Sequence, residues 1–392
     1  MAKFNVKVFR EFFHSSSSGG ILLIFCVLVS LVIANTGYAD NYVQFLNKEI
    51  GLNSESLHLR YPVILWVNDG LMAIFFLLVG LEIKRELVEG ELSSPKKAAL
   101  PVFAAVGGML VPALLYALFN NNTTTSGGWG IPMATDIAFA IAILAILGDR
   151  VPNSLKIFLT ALAIVDDLGA ILVIALFYST DIQTTYLLYA GGILLLQVVL
   201  NRLGMKNLMF YLIPGLFMWY FIHLSGVHAT VAGVLTALTI PTTPDATESP
   251  LEKLEHTLTK PVNFLIMPIF ALANTNVEFV VGMVEGIFSN LSLGIILGLL
   301  AGKPIGILLF SWVSVALGLS SLPGGTNWKQ ISGLGLLAGI GFTMSIFIAL
   351  LSFSDPLFQT QAKFAILIAS LIAGASGYIF LRYAHNSKTQ RG

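Results

Sequence analysis

The chain is predicted to be an all-α polytopic membrane protein, and three observations carry that expectation. Its 392 residues are 56% hydrophobic and only 11% charged, where soluble domains carry about 25% charged residues. Mean hydropathy is +0.84. Apolar stretches long enough to span a bilayer recur from one end of the sequence to the other.

Hydropathy outlines twelve segments, about 16–36, 59–85, 95–119, 129–147, 152–178, 183–201, 206–222, 226–240, 258–274, 290–315, 329–352 and 359–382. The count is softest around 206–240. Lys3, Lys7 and Arg10 before the first apolar run give it the outline of a signal peptide, but its spanning length and the similar segments that follow favour a first span. Basic residues collect in short cytoplasmic loops. With both termini cytoplasmic, 17 of the 21 Lys and Arg fall on the inner side; Lys48, Arg60 and Lys363 fall outside, and Lys303 is left over inside the tenth span. Net charge is zero, which argues against a nucleic-acid partner, and the lone cysteine, Cys26, can form no internal disulfide.

The fifth span holds the sharpest signal. Ala161 to Val173 places Asp166 and Asp167 side by side near the middle of an apolar run. A charge at the bilayer centre costs at least about 2.5 to 3.5 kcal/mol, so an intramembrane acid marks a functional site by default. Neighbouring residues lie about 100° apart around a helix, so the two acids can line different walls of one cavity. They should titrate as a coupled unit. Carboxylate oxygens are hard ligands, for which a small cation and a proton would compete. The plainer reading is that one or both acids only pair with a base on a neighbouring helix.

That base has a candidate. Lys303 lies in Leu-Leu-Ala-Gly-Lys-Pro-Ile-Gly, where it either snorkels to an interface or meets a buried partner such as Asp166 or Asp167. The flanking Gly302 and Pro304 imply a distorted backbone. The fourth span carries Pro132, then Thr135 and Asp136; the eleventh carries Gly339 and Gly341, then Thr343. Each is the middle member of a three-span group, about 95–178 and 290–382. Interrupted helices at corresponding positions of two halves point to a transporter site formed by an inverted repeat. Asp136 could then compensate helix N-terminal ends and Lys303 the C-terminal ones. Ordinary kinks that only aid packing are the alternative.

At the end of the second span, Glu82, Lys84, Arg85 and Glu86 follow an apolar helix, with Glu82 and Glu86 one turn apart. They read as a solvated helix end or as a charged cluster at a cytoplasmic mouth, paired to Glu255 and His256, where a histidine could respond to pH. Asp69, His223 and His228 are weaker candidates.

Trp66 to Leu87, Ala134 to Ala140, Ala161 to Ala170, Ser225 to Thr230, Lys303 to Gly306 and Gly339 to Ser345 together resemble the bacterial NhaA sodium/proton antiporters, over nearly the whole chain. The resemblance implies twelve helices, two inverted three-helix repeats, and crossed, interrupted fourth and eleventh helices. It implies electrogenic extrusion of sodium or lithium from the cytoplasm in exchange for protons, across a bacterial inner membrane. It carries Asp166 and Asp167 over as the ion- and proton-binding pair, with Thr135 as a further oxygen ligand. Asp136 and Lys303 become the charges that balance the crossed helix ends. Glu82, Arg85, Glu86, Glu255 and His256 match a pH-activation cluster, and the outer loop 47–60 matches a β-hairpin used in a homodimer.

No cofactor is expected, only transported Na+, Li+ and H+, and no Walker-type loop is present. One departure stands out: Thr259 occupies the place of a second histidine in the family pattern. Two other readings compete. A sodium-coupled symporter would want a wider polar cavity, and an intramembrane aspartyl protease would want a Gly-x-Gly-Asp element, of which only Leu147-Gly-Asp149 is present.

Overall fold

The computed structural model describes residues 18–54, 57–179, 181–242, 249–279 and 285–386. Lys3, Lys7, Arg10, Lys388 and Arg391, five of the basic residues on the expected inner side, lie outside the described residues. The described residues are mostly helical. Among the described residues, seven helices are long and apolar enough to cross a bilayer, or nine if each of two bent pairs forms one span.

The first bent pair is α1 (Ser18–Ala34) and α2 (Ala39–Leu46), which meet at 115°. A two-stranded antiparallel hairpin follows, β1 (Glu49–Ser54) and β2 (Leu57–Pro62), registered Glu49 to Pro62 and Ile50 to Tyr61. Helix α3 (Val63–Val88) therefore starts later than the hydropathy boundary at 59, because the apolar residues of β2 lengthen the run without being helical. Then come α4 (Pro95–Asn120), a 3-10 segment (Ser126–Met133), α5 (Ile137–Leu147) and α6 (Asn153–Phe177).

The next helices are α7 (Thr184–Arg202), α8 (Met209–Leu224), α9 (Val231–Thr239), α10 (Pro250–Pro261) and α11 (Met267–Asn274). The expected seventh to ninth segments fall here. They are helical, but α8 and α9 are short and α10 carries Glu252, Lys253, Glu255 and Lys260, so none passes as a long apolar span. The chain closes with α12 (Asn290–Ala316), the second bent pair α13 (Trp328–Ala338) and α14 (Phe342–Ser352), meeting at 46°, and α15 (Pro356–Asn386).

Helix starts follow local chemistry. Ser249 and Glu252 form a reciprocal capping box on α10, with Pro250 at the first helical position; Asn327 and Gln330 do the same on α13. Three helices contain π turns: Trp66–Leu71 in α3, Val262–Ile266 between α10 and α11, and Gly298–Gly302 immediately before Lys303. Such turns widen the helix by a residue and concentrate at functional sites.

In lipid, helix pairs gain by close backbone approach at small residues. Helices α4 and α12 meet in this way: a Cβ on Gly306 would lie 2.1 Å from the Gly107 carbonyl oxygen. That approach brings Lys303 over α4, its Cε 3.7 Å from the position of a Cβ on Gly108. The main core then surrounds the two chain interruptions, with Leu299, Ile307, Leu337, Ile340 and Phe347 all buried.

Candidate functional site

Two helices are interrupted where they pack against each other. The first break is Ala134 to Asp136, an extended stretch between the 3-10 segment and α5. The second separates α13 from α14 at Gly339 to Gly341. Their backbones touch: the Asp136 amide donates to the Ile340 carbonyl at 2.6 Å. A broken helix exposes orphan amides and carbonyls, which in lipid must find partners inside the protein.

Asp136 answers the amides. Its Oδ1 accepts from the Phe139 amide at 3.1 Å, capping α5, and its Oδ2 accepts from the Thr343 amide at 3.1 Å and the Thr343 hydroxyl at 2.5 Å, at the start of α14. One carboxylate thus serves the positive ends of both half-helices. Hydroxyls and an ammonium answer the carbonyls. Thr135 Oγ1 donates to Ala338 O at 2.9 Å, Ser345 Oγ to Ile131 O at 2.8 Å, and Lys303 Nζ to Met133 O.

Lys303 also holds one member of the acid pair, Asp166. Its Nζ lies 2.6 Å from Asp166 Oδ2, and both side chains are sealed, at 0% and 1% exposed. The lysine does not snorkel. The other oxygen of Asp166, Oδ1, is buried without a hydrogen-bond partner. Asp167, one residue on, turns to a different wall. It lines a cavity of about 60 Å³ together with Glu82, Thr135, Asp136, Asn263 and Thr343. A single water needs only about 10–15 Å³ on this measure, so water or a small ion fits beside Asp167.

That cavity adjoins a larger one of about 460 Å³, and Glu82, Ile137, Ala138, Asn263 and Met267 line both. The larger space opens beside Arg85, Thr259 and Lys260, at the charged end of α3 and α10. Among the described residues no three His, Cys, Asp or Glu side chains converge to hold a metal ion. A cation beside Asp167 would therefore lean on carboxylate and neutral oxygens together.

Comparison with known proteins places the chain in a family. A family model described as Na+/H+ antiporter 1 matches residues 10–381. The chain belongs to that family. It is 63% identical to a Na(+)/H(+) antiporter NhaA 2 of Flavobacterium johnsoniae, over all of this chain and 96% of the relative. It is 54% identical to a Na(+)/H(+) antiporter NhaA of Flavobacterium psychrophilum, over 96% of each chain, and 50% identical to one from Shewanella oneidensis, over 96% of this chain and 97% of the relative. Proteins of this NhaA family are carriers, not enzymes; their substrates are the ions, and they carry no cofactor. As a multi-pass protein of a bacterial antiporter family, the chain belongs to the inner membrane.

The other NhaA-like residues are placed as follows. Arg85 lies between two acids, with Nε 3.3 Å from Glu255 Oε2 and Nη2 3.5 Å from Glu86 Oε1. Glu82 lines the passage, but Glu86 does not share its wall. Glu86 Oε2 accepts the Glu91 amide at 2.9 Å, because the chain turns back after Val88 and leaves that amide without a helical partner. Burial pushes the Glu255 carboxyl above the usual carboxylate range, against the opposing pull of Arg85 and His256. His256 itself is exposed. Thr259, in the place of a histidine, donates to Glu255 O at 2.7 Å.

The weaker candidates lie elsewhere. Asp69 Oδ2 is 3.3 Å from His223 Nδ1, and His228 Nε2 is 2.9 Å from Tyr178 O. Asn263 and Ser345 have no place among the sequence candidates. Asn263 had one legible signal, an amide side chain inside the apolar run Pro-Val-Asn-Phe-Leu.

Proposed function

We propose that this chain exchanges sodium or lithium for protons across the bacterial inner membrane, with Asp166 and Asp167 as the shared ion- and proton-binding pair. The observation that supports this best is the asymmetry of the two acids: Asp166 is held by Lys303, while Asp167 faces a cavity that adjoins the charged end of the molecule. Family membership supports the ions named.

In this reading, both termini are cytoplasmic and the passage beside Arg85 and Lys260 is the cytoplasmic entrance. Sodium arriving there displaces protons from the pair, and at the outer face protons displace sodium. Thr135 adds an oxygen ligand when its hydroxyl turns from Ala338. Exchange follows if only sodium-loaded or protonated states reorient, because an empty site with uncompensated acids is costly to move through lipid. The proton gradient supplies the energy. Unequal counts of the two ions would make the exchange electrogenic.

The scaffold is read as two inverted three-helix repeats, about 95–178 and 290–382, whose interrupted middle members meet at Asp136 and Lys303. The remaining helices form the interface part. Glu82, Arg85, Glu86, Glu255 and His256 would tune activity with pH. The β1–β2 hairpin, with Ile50 and Leu52 exposed, would carry a homodimer contact.

Sodium-induced pH change in everted vesicles, without any organic solute, tests this directly. The native protein should dissipate a pre-formed pH gradient on addition of Na+ or Li+, and Asp166→Asn and Asp167→Asn should not. Robust exchange by both variants would contradict the mechanism, and dependence on an organic solute would favour a symporter.

A further inference from the structure

The passage toward Asp167 narrows where its two cavities meet. Five residues line both: Glu82, Ile137, Ala138, Asn263 and Met267. Only Glu82 and Asn263 among them have polar side chains. Asn263 lies in the π turn Val262–Ile266, directly after Pro261. It is half-buried, and its amide makes no hydrogen bond within the described protein. An amide in a protein interior ordinarily finds a partner. This one is presented to the passage instead.

We propose that Asn263 is the neutral oxygen donor that replaces water on the entering cation at this neck, and so sets the apparent sodium affinity. The proposal rests on the reading that Asp167 is the ion site. A hard cation needs several oxygen ligands, and among the described residues no three acidic, histidine or cysteine side chains converge to supply them. Ile137, Ala138 and Met267 offer no side-chain oxygen at the neck. The Asn263 carbonyl oxygen can coordinate without adding a second negative charge beside Glu82. That distinction matters for transport, since a passing ion must be held well enough to enter and weakly enough to leave.

The test compares three proteins in everted vesicles: native, Asn263→Leu, which keeps the shape and removes the oxygen, and Asn263→Asp, which keeps an oxygen in the same place. The measured quantity is the KM for Na+, which does not depend on how much folded carrier the membrane holds. Loss of one such ligand should raise KM about fivefold in Asn263→Leu, with the maximal rate within about twofold of native. Asn263→Asp, which keeps an oxygen and adds a charge beside Glu82, should not raise KM and should lower the maximal rate, because the ion is held too well to leave. A native KM in Asn263→Leu would overturn the proposal, and so would an equal rise in both variants, which would mean that shape and not the oxygen matters. Asp166→Asn and Asp167→Asn are measured alongside. If Asp167→Asn and Asp166→Asn both exchange normally, the functional reading fails; if they are inactive while Asn263→Leu keeps a native KM, only this inference fails.

Discussion

The junction of the two interrupted helices and the passage beneath it are both polar regions in an apolar protein, yet they dispose of their hydrogen bonds differently. At the junction, Thr135, Asp136, Lys303, Thr343 and Ser345 each have a partner across the break. In the passage, Asn263 has none, and Arg85 and Glu255 touch at 3.3 Å without the alignment of a hydrogen bond. The difference separates two tasks. Hydrogen-bonded groups hold a broken backbone in place, and groups such as the Asn263 amide that spend no hydrogen bond within the described protein remain available to water and ions that pass.

The largest effect should come from breaking the junction at its ion pair. Lys303→Met leaves Asp166 buried and unpaired, which costs about 3–5 kcal/mol. The double variant with Asp166→Asn removes both charges and should recover most of that loss in thermal unfolding of the detergent-solubilised protein. An equal loss in the single and double variants would mean that the pair is not what holds the junction.

A smaller loss is expected where charge alone is removed. Asp136→Asn keeps one acceptor but loses charge-assisted bonds to two helix starts, for about 1.5–3 kcal/mol. Asn263→Leu, on the passage side, should leave the unfolding temperature nearly unchanged, which sharpens the contrast. A greater destabilisation from Asn263→Leu than from Asp136→Asn would erase it. Thr343→Val, which removes one hydroxyl bond to Asp136, should cost only about 1 kcal/mol, and no measurable change would show that the backbone amide alone satisfies that carboxylate.

The smallest effect is set by pH at Glu255. Its folded carboxyl is raised above the usual range by burial, so its favourable contribution is present below the ordinary glutamate value of about 4.3 and is lost as pH rises through the folded value. Glu255→Gln should therefore be more stable relative to native at pH 8 than at pH 4. The reverse ordering would mean that the ion pair with Arg85 outweighs burial.

The sequence exposed some of these features and hid others for physical reasons. Asp166, Asp167 and Lys303 stand out because a charge in an apolar run has no cheap explanation, and the two interruptions stand out because Pro132, Gly339 and Gly341 weaken helices where polar residues follow. Of the π turns, the one at Gly298–Gly302 falls where Gly302 and Pro304 imply a distorted backbone, while the turns at Trp66–Leu71 and Val262–Ile266 have no counterpart among the sequence expectations. Asn263 is neutral and passes as an ordinary residue of an apolar segment. Hydropathy starts the second span early, at about 59, because β2 is as hydrophobic as the helix that it precedes, and the shorter helices α8 and α9 fall below what hydropathy and length alone can certify as spans.

The central claim is that sodium and protons take turns at Asp167 and its neighbour. Calorimetric titration of Na+ into the purified protein, repeated in buffers of different ionisation enthalpy, tests it most directly. The account predicts proton release on sodium binding by the native protein and loss of both the binding heat and the release in Asp167→Asn. Sodium binding to the native protein with no buffer dependence, and hence no proton released, would contradict it.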